Sequence, residues 1–438
     1  MSRSEASSET ASESNSGAVS RRVVVTGVGL VSPLGDDPQQ LYQALAAGTR
    51  GLRQVSLFET DALGPRLAGE IADFDPATTL GRANYRPVDR TARLVIVAAH
   101  QAFEASGWDT EKREEHDVGL VLGTMFGSVH TISAFDRRAL VAGPKYAKPF
   151  EFANSVINAA AGQTAIWHNL RGINSTIGGG TAAGLQALIY ATEAIRTGRS
   201  DALLAGGADE LCFESFYGFH RTGQLGADED GAATSAPFAA RRSGFYLGEG
   251  AGLLMLEEAE SARRRGAKVL AEIRGHGTCY DCSRGADERA ADAVQRAIGL
   301  ALADAGLTAA DIDAVSAAAN GSLLGDRHEA QGLAAAFPGR EDLPVTAVKS
   351  MLGEALGASG AFATIALLEA LGAGTLPGIP GLEEPEAGLP LTGLGTANRS
   401  LAGRRGLVDA VGLDGNVAAL VVERSDDGEL AARPTGES

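Results

Sequence analysis

Short apolar runs of strand length alternate with helical patterns along nearly the whole chain, and this alternation limits the possible folds more than any other feature of the sequence. The strand candidates lie within 21–35 and at 118–124, 202–208, 252–258, 313–319 and 418–424. Apolar residues at helical spacing lie between several of them, around 94–107 and 291–306. This alternation predicts an α/β protein whose parallel sheets are covered by helices on both faces.

The alternation runs twice, over residues 21–270 and again over 271–424. In each repeat, similar residues connect the end of a helix to the next strand. They are HDVGLVLGT at 116–124 and ADIDAVSAAA at 310–319. The repetition predicts two similar halves. Residues 1–20 contain no apolar stretch and predict a disordered leader rather than a signal peptide, while residues 425–438 predict a mobile tail.

Charge and composition exclude several classes of protein. The formal charge of −17 and the lack of a long basic stripe argue against nucleic-acid binding. The chain has no run of about 18 apolar residues without charges, which argues against a membrane span. An acidic partner would need a local basic patch, and Arg263, Arg264, Arg265 and Lys268 are the candidates; a solvated helix end is the alternative interpretation.

Three cysteines, Cys212, Cys279 and Cys282, are too few for a disulfide framework, so a reducing, cytoplasmic location is expected. Cys279 and Cys282 form a C-x-x-C, but the sequence has no second pair and only His276 nearby. We therefore expect no metal, and the sequence suggests no other cofactor.

The segment GINSTIGGGTAAGLQALIYATEAIRTG at 172–198 is the most informative for function. Its apolar spacing predicts a helix that begins close to Thr181, directly after three glycines. The helical positions are Leu185, Leu188, Ile189, Thr192 and Ile195. A strand-to-helix turn of this kind exposes its central side chain to the positive end of the helix, which suits a nucleophile. The alternative is that the glycines only allow close packing.

Three long segments carry a resemblance that covers nearly all of residues 21–424. They are VVVTGVGLVSPLG at 23–35, SGFYLGEGAGLLMLEEAESARRRGAKVLAEIRGHG at 243–277 and VKSMLGEALGASGA at 348–361. In these segments the chain resembles the β-ketoacyl synthases. The resemblance implies a thiolase-like five-layer αβαβα fold, made of two similar halves with mixed, mainly parallel sheets.

The resemblance also implies that the condensing site has lost its nucleophile. In active members the elbow carries a cysteine within a T-A-C-x-S-G-like stretch, and the matching position here is Thr181. The hydroxyl of threonine is far less acidic than a thiol, so it would need a strong general base close by. Family members without the cysteine often carry Gln, and Thr181 departs from that as well.

Both histidines of the family are also replaced. The H-G-T-x-T-P histidine corresponds to Ala318, with Asp326 and Glu329 keeping the downstream acidic pattern in register. His328 falls ten residues late, and we expect it to be a surface or packing residue.

The K-S-x-x-G-H histidine corresponds to Glu354, and Lys349 of that motif remains. We expect Lys349 to form a buried ion pair with Glu354 or a neighbouring acid. Loss of the nucleophile and of both imidazole donors predicts no catalytic residue and no useful condensation.

Two further segments correspond to family features. GLDGNV at 412–417 stands for the G-F-G-G-x-N loop, so Leu413 replaces the gating phenylalanine and Asp414 replaces a glycine. Residues 123–135 correspond to the subunit interface and the substrate tunnel. The predicted tunnel or interface residues are Met125, Phe126, Val129, Ile132 and Ser133. Ordinary interface packing is the alternative for them.

These resemblances imply a chain-length factor, the ketosynthase beta subunit of a type II polyketide synthase. Such a subunit pairs with an active ketosynthase as a heterodimer and shapes the tunnel for the chain that grows on the phosphopantetheine of acyl carrier protein. It would be part of a 3-oxoacyl-ACP synthase (acyltransferase) complex without condensing activity of its own. The closeness of residues 348–361 to ordinary ketosynthases favours a reducing or polyene-type pathway.

Two alternatives remain open. The first is a self-sufficient malonyl-ACP decarboxylase or acyltransferase that uses Thr181 with Glu354 as its base. The second is a stand-alone acyl-binding scaffold that forms a homodimer without any catalytic partner.

Overall fold

The computed structural model describes residues 21–60, 63, 67–108, 117–229, 232–282 and 289–426. The expected leader, residues 1–20, and the expected tail after residue 426 lie outside the described residues. The strands are β1 (Val23–Val31), β2 (Arg53–Gln54), β3 (Leu67–Ala68), β4 (Gly119–Thr124), β5 (Asn174–Gly178), β6 (Ala202–Asp209), β7 (Asp228–Glu229), β8 (Ala232–Ala233), β9 (Gly250–Glu258), β10 (Ala271–Tyr280), β11 (Ala314–Ser316), β12 (Val345–Thr346), β13 (Thr375–Leu376), β14 (Arg399–Ser400), β15 (Arg405–Val411) and β16 (Asn416–Arg424).

The helices of the described chain lie mostly between these strands, as the alternating sequence pattern predicts. They are α1 (Pro38–Ala46), α2 (Ala77–Leu80), α3 (Arg90–Ser106), α4 (Val129–Val141), α5 (Pro149–Phe152), α6 (Ala159–His168), α7 (Ala183–Arg196), α8 (Phe213–Arg221), α9 (Ala259–Arg264), α10 (Arg289–Ala305), α11 (Gly325–Ala336), α12 (Lys349–Leu352) and α13 (Ser359–Ala373). The strand predictions at 118–124, 202–208 and 418–424 match β4, β6 and β16 closely.

Ten strands form one sheet in the order β12-β11-β15-β16-β10-β1-β9-β6-β4-β5. The relative strand directions follow the same pattern from each outer edge of the sheet towards its centre. Two parallel strand pairs come first, followed by two antiparallel strand pairs. The halves join where β1 pairs with β10, from Val23 opposite Ile273 to Val25 opposite Ala271. This equivalence confirms two similar halves, and we propose the boundary between residues 270 and 271.

The expectation of mainly parallel sheets is wrong, although the sheets are mixed as predicted. Five of the nine strand pairs in the ten-stranded sheet are antiparallel. Alternating strands and helices indicate crossovers but do not reveal where the chain reverses through a short turn. The turn between β15 and β16 is one such reversal, and it makes this pair antiparallel.

The helices form three layers around the two halves of the sheet. Helices α3 and α6 cover the outer face of the first half, and α10 and α11 cover the outer face of the second. Helices α7 and α13 lie between the halves and contact strands of both. The resulting order of layers is the five-layer αβαβα arrangement.

Helix α13 is apolar around its whole circumference, which suits its position in the central layer. The stretch Leu356–Ala373 is long and apolar enough to cross a membrane by length and composition, and 83% of it is buried inside the protein. A helix that is hydrophobic on all sides is one that is covered on all sides. The predicted apolar stripe of α7 is likewise buried at all five predicted positions.

The two central helices approach each other closely at their beginnings. A methyl group added at Gly184 in α7 would lie 2.3 Å from the carbonyl oxygen of Gly357, in the turn before α13. Only glycine allows this contact. Thr181 and Glu354 each precede this crossing by three residues.

Candidate functional site

Five of the predicted site residues share one kind of position in the fold: each follows the carboxyl end of a strand in the ten-stranded sheet. Met125 follows β4, Thr181 follows β5, Ala318 follows β11, Lys349 follows β12 and Leu413 follows β15. Ligands of α/β sheets bind at the carboxyl ends of parallel strands. Direct contacts bring loops of the two halves together: Thr181 meets Val411, Gly357 meets Asp209, and Gly180 meets Asp414.

Thr181 lies in a single 3-10 turn, Gly180–Ala182, that leads directly into α7. The helix thus begins where the sequence predicts. The side chain is buried, and its hydroxyl donates a hydrogen bond of 3.4 Å to the carbonyl oxygen of Val411. Among the described residues, neither a carboxylate nor an imidazole hydrogen-bonds to this hydroxyl. No general base within the described part of the chain is therefore hydrogen-bonded to the Thr181 hydroxyl.

The backbone N–H of Ala318 points at two carboxyl groups. It lies 2.6 Å from Oε1 of Glu329 and 3.0 Å from Oδ1 of Asp409. These two buried carboxyl groups interact with each other, and the negative charge of one favours a proton on the other. Burial and the charge of Asp409 raise the pKa of Glu329 well above its usual value, and burial raises the pKa of Asp409 to about 6.

The carboxylate of Glu354 accepts four hydrogen bonds. Lys349 Nζ at 2.8 Å and Asn320 Nδ2 at 2.9 Å donate to Oε2, while Ser359 Oγ at 2.7 Å and the Leu356 N–H at 3.2 Å donate to Oε1. Glu354 is almost fully buried. The expected ion pair between Lys349 and Glu354 is confirmed, and the other donors hold the carboxylate in one orientation.

Asn320 connects the Ala318 loop to Glu354, because it lies two residues after Ala318 and donates directly to Glu354. Val411 connects the Thr181 turn to the end of β15 in the same way. The structure therefore brings the Ala318, Glu354 and Lys349 positions into one network, with the Thr181 turn attached through Val411.

A cavity of about 290 Å³ opens beside Ala318. It is lined by Tyr280, Asp281, Ala318, Ala319, Asn320, Ser322, Leu324, Gly325, Asp326, His328, Glu329, Val411, Gly412, Leu413, Asp414 and Gly415. His328 lies on α11, as expected, but its position in the lining was not foreseen. The signal available in the sequence was its spacing between Asp326 and Glu329, which places all three near the start of one helix.

Leu413 and Asp414 form the tip of the tight turn between β15 and β16. Both are exposed, and the turn is closed by a hydrogen bond of 2.6 Å from the Gly412 N–H to the carbonyl oxygen of Asn416. Asn416 donates to Asp414 at 2.7 Å from its side chain and at 3.2 Å from its backbone N–H. The expected turn is present, and the chemical role of Leu413 and Asp414 stays a prediction.

Met125 and Phe126 are anchored by Asp209, which sequence reasoning missed. The buried Asp209 carboxylate accepts hydrogen bonds from the N–H groups of Met125 at 2.8 Å, Phe126 at 3.0 Å and Gly357 at 2.8 Å. Burial raises its pKa to about 6 despite these donors. Asp209 is the last residue of β6, and an acid at the end of an apolar strand was the available signal.

The other predicted tunnel residues, Val129, Ile132 and Ser133, lie on α4 and are half-buried. None of them belongs to the described lining of the cavity beside Ala318. Helix α4 packs against α8, where His130 contacts Glu214 at 3.0 Å. The choice between tunnel wall and interface for these residues stays a prediction.

Family models match both halves of the chain. The β-ketoacyl synthase N-terminal domain matches residues 20–262, and the β-ketoacyl synthase C-terminal domain matches residues 270–383. The chain belongs to the β-ketoacyl synthase family.

Known β-ketoacyl synthases resemble the chain along nearly its whole length. A 3-oxoacyl-[acyl-carrier-protein] synthase 2 from Coxiella burnetii is 31% identical over 93% of this chain and 99% of its own. A chain of the ishigamide ketosynthase/chain length factor is 30% identical with a TM-score of 0.86, over 93% of this chain and 100% of its own. These matches confirm the thiolase-like fold.

A third match shows the fold alone. It is a structure of AntDE:AntF, a type II polyketide synthase acyl-carrier protein in complex with its ketosynthase bound to the hexaketide. The matched chain is 24% identical with a TM-score of 0.84, over 92% of this chain and 100% of its own.

The cysteines of this β-ketoacyl synthase-family chain are free in the described structure. Burial raises the pKa of the Cys212 thiol to about 12, so it is not a reactive thiolate. Cys279 is half-buried and Cys282 is exposed. Within the described ranges, no group of three or more potential metal ligands is present.

In this ketosynthase fold, two of the four residues suggested as a basic patch are paired with acids. Arg265 is paired with Glu257, and its guanidinium stacks 4.9 Å from the centre of the Trp108 ring. Arg263 is paired with Glu260 at 2.7 Å. The alternative of a solvated helix end fits these contacts better.

Proposed function

We propose that this chain is a non-catalytic chain-length-factor-like subunit, which pairs with an active ketosynthase and shapes the tunnel for an acyl chain on acyl carrier protein. The observation that carries the proposal is the bonding of Glu354. Its carboxylate is held by Lys349, Asn320, Ser359 and the Leu356 N–H, so its lone pairs are engaged by neighbours rather than directed at Thr181.

The chemistry at the elbow supports this proposal over a catalytic Thr181. Threonine needs a base within hydrogen-bond reach to act as a nucleophile. The Thr181 hydroxyl instead donates to the carbonyl oxygen of Val411, which cannot accept a proton at neutral pH. Glu354 is the base suggested for the decarboxylase alternative, but its carboxylate forms an ion pair with the buried ammonium of Lys349.

Ala318 cannot supply the hydrogen-bond donor that a condensing site needs. A methyl group donates no hydrogen bond to a developing oxyanion, and removal of one such donor typically costs about 3 kcal/mol or more in transition-state stabilisation. The carboxyl groups of Glu329 and Asp409 lie behind Ala318 and accept hydrogen bonds. The similarity to relatives named as synthases supports the fold. The residues at the Thr181, Ala318 and Glu354 positions are the reason to propose a non-catalytic role.

An exposed apolar surface supports a protein partner. We name it the β5 surface; eight of the sixteen large apolar side chains that are exposed in the described chain lie within 140–166. They are Leu140, Val141, Tyr146, Phe150, Phe152, Val156, Ile157 and Ile166. Ile157 lies against Gly178 of β5, and α6, which carries Ile166, contacts the same strand. Concentrated exposed apolar area of this kind marks an interaction site.

Strand β5 itself is suited to extend the sheet into a partner. It is the last strand of the ten, and among the described strands it pairs only with β4. An unpaired strand edge exposes N–H and C=O groups that another chain can bind. We propose that an active ketosynthase covers this edge and the β5 surface together.

The proposed carrier-protein partner and pathway are argued from similarity to other ketosynthases. One of the matched structures is that of an acyl-carrier protein in complex with its ketosynthase, and we propose the same class of partner here. We also propose a reducing or polyene-type pathway, since residues 348–361 resemble ordinary ketosynthases. A cytoplasmic assembly agrees with three free cysteines.

The proposal is tested by expressing the chain alone and together with the ketosynthase encoded beside it, each supplied with malonyl-loaded carrier protein. We expect a stable one-to-one complex, carbon–carbon bond formation only in that complex, and no acyl label on Thr181. Thr181→Ala should leave condensation by the complex unchanged, with Thr181→Ser as the matched control. Condensation or Thr181 labelling by the chain alone, abolished by Thr181→Ala, would overturn the proposal. A stable homodimer that never binds the ketosynthase would favour the scaffold alternative.

A further inference from the structure

The cavity beside Ala318 touches the Thr181 turn through the loop that ends β15. Val411 lines the cavity, and its carbonyl oxygen accepts the hydrogen bond of Thr181. Asp414 also lines the cavity and contacts the turn at Gly180. A thioester that entered this cavity would therefore meet Asp414 beside the elbow.

The contact between Asp414 and Gly180 is close and well defined. A methyl group added at Gly180 would lie 2.9 Å from Cγ and 3.0 Å from both carboxylate oxygens of Asp414. The two hydrogen bonds from Asn416 fix the carboxylate on this side of the loop. Position 180 is a glycine with a positive φ of 58°, so no side chain at this position separates the turn from the Asp414 carboxylate.

Two of the three other acids in the lining, Asp326 and Glu329, have their charges compensated or suppressed; the third is Asp281. Asp326 accepts hydrogen bonds from three backbone N–H groups and lies 3.6 Å from the guanidinium of Arg242. Burial and the negative charge of Asp409 raise the pKa of Glu329, which favours its neutral form. His328 is the only side chain in the described lining that can become cationic. The cavity is therefore acidic, with Asp414 as its charge nearest to the elbow.

We infer that Asp414 makes this cavity selective against acyl groups that carry a carboxylate, such as malonyl, while uncharged acyl thioesters of pantetheine are admitted. The inference rests on the proposed function, in which the site receives a growing acyl chain and not an extender unit. Two carboxylates at close range in a partly enclosed site repel each other more strongly than they do in water. A non-catalytic subunit gains from this selectivity, because an extender unit is then kept out of a cavity in which it cannot react.

The test compares two probes of nearly equal shape, malonyl-pantetheine and acetoacetyl-pantetheine, in which a methyl ketone replaces the carboxylate. Binding to the purified full chain is measured by titration calorimetry at low and high salt. We expect acetoacetyl-pantetheine to bind about tenfold more tightly, equivalent to about 1.4 kcal/mol. The preference should narrow as salt screens the charge.

Asp414→Asn keeps the shape of the side chain and removes its charge. It should raise the affinity for malonyl-pantetheine about tenfold and leave that for acetoacetyl-pantetheine unchanged. Asp73→Asn, an exposed acid outside the described cavity lining, is the control and should change neither. Equal binding of both probes by the wild type, no binding of either, or no response to Asp414→Asn would overturn the inference.

The result of this binding test can be distinguished from the result of the test of the proposed function. Binding of the ketosynthase is scored by co-purification, which does not depend on Asp414. Selectivity without a complex would contradict only the proposed function. A complex without selectivity would contradict only the role of Asp414.

Discussion

Lys349 Nζ lies 2.8 Å from Oε2 of Glu354, and both side chains are less than a tenth exposed. The two residues are five positions apart, with Lys349 at the start of α12 and Glu354 just before α13. The pair therefore fixes the entrance to a central helix. We propose that this structural ion pair stands where active members of the family have a catalytic imidazole.

Lys349→Met should destabilise the protein strongly, because it leaves the buried Glu354 carboxylate without its cation. We expect the free energy of unfolding to fall by about 3–5 kcal/mol. The double variant Lys349→Met with Glu354→Gln should cost less than Lys349→Met alone, since no uncompensated charge remains. Urea denaturation of the wild type and both variants measures these differences.

An exposed ion pair supplies the control for this prediction. Arg263 and Glu260 lie 2.7 Å apart with side chains 75% and 61% exposed. Arg263→Ala should change the free energy of unfolding by less than about 0.5 kcal/mol. A cost for Lys349→Met as small as this would mean that the buried pair does not stabilise the entrance to α13.

The Glu329–Asp409 pair predicts that stability falls as pH rises. The folded protein binds a proton at this pair more tightly than the unfolded chain does, because Asp titrates near 3.8 when unfolded, whereas the pKa of Asp409 in the fold is about 6. The contribution of the pair is fully present below about pH 4 and is lost as pH rises through about 6. Glu329→Gln removes one titrating group of the pair and is uncharged at every pH.

Urea denaturation of the wild type and Glu329→Gln at several pH values between 4 and 7 isolates this effect. Asp209 and Asp326 also have pKa values raised to about 6, but both proteins contain them and the difference cancels their contribution. We expect the wild type to lose stability relative to the variant across this range. Parallel pH profiles would show that the pair holds no proton.

The alternation of strand and helix patterns predicted an α/β protein with helices on both faces of its sheets, because strand length and helical spacing are local properties. The five layers and the positions of the site loops were implied by the family resemblance. Thr181, Ala318 and Glu354 could be placed since each lies in a segment with family spacing. Strand direction could not be predicted, since it depends on which strands become neighbours. Asp209 was missed for the same reason: its partners, Met125 and Gly357, are distant in sequence.

Disruption of the β5 surface should prevent assembly with the proposed partner. Ile166→Glu places a charge on a side chain that is 78% exposed, where burial by a partner would leave it unpaired. Co-purification with the ketosynthase should fall by about tenfold or more, as at interface hot spots. Leu300→Glu, on α10 and 53% exposed, is the control and should leave the complex intact. Equal loss with both variants would contradict a specific role for the β5 surface.

Enlarging the predicted tunnel residues should shorten the product of the complex. Val129→Phe or Ile132→Phe would add volume on α4, and a tunnel closed earlier would hold fewer extension units. Val129→Thr has nearly the same shape and should leave product length unchanged. Mass spectrometry of the released product distinguishes these outcomes. Full-length product from both enlarged variants, in a complex that still assembles, would assign these positions to ordinary interface packing.

The contact between Gly180 and Asp414 predicts a measurable coupling between the Thr181 turn and the β15–β16 turn. Gly180→Ala should lower the free energy of unfolding by about 1 kcal/mol or more, because alanine is strained at a φ of 58° and its methyl would meet the Asp414 carboxylate. Asp414→Gly should recover the steric part of this cost and leave the backbone part. A double-mutant cycle should therefore give a coupling energy of about 0.5 kcal/mol or more, as for residues in direct contact. Additive costs would mean that Asp414 does not rest against the elbow in solution, and would remove the geometric basis for its selectivity.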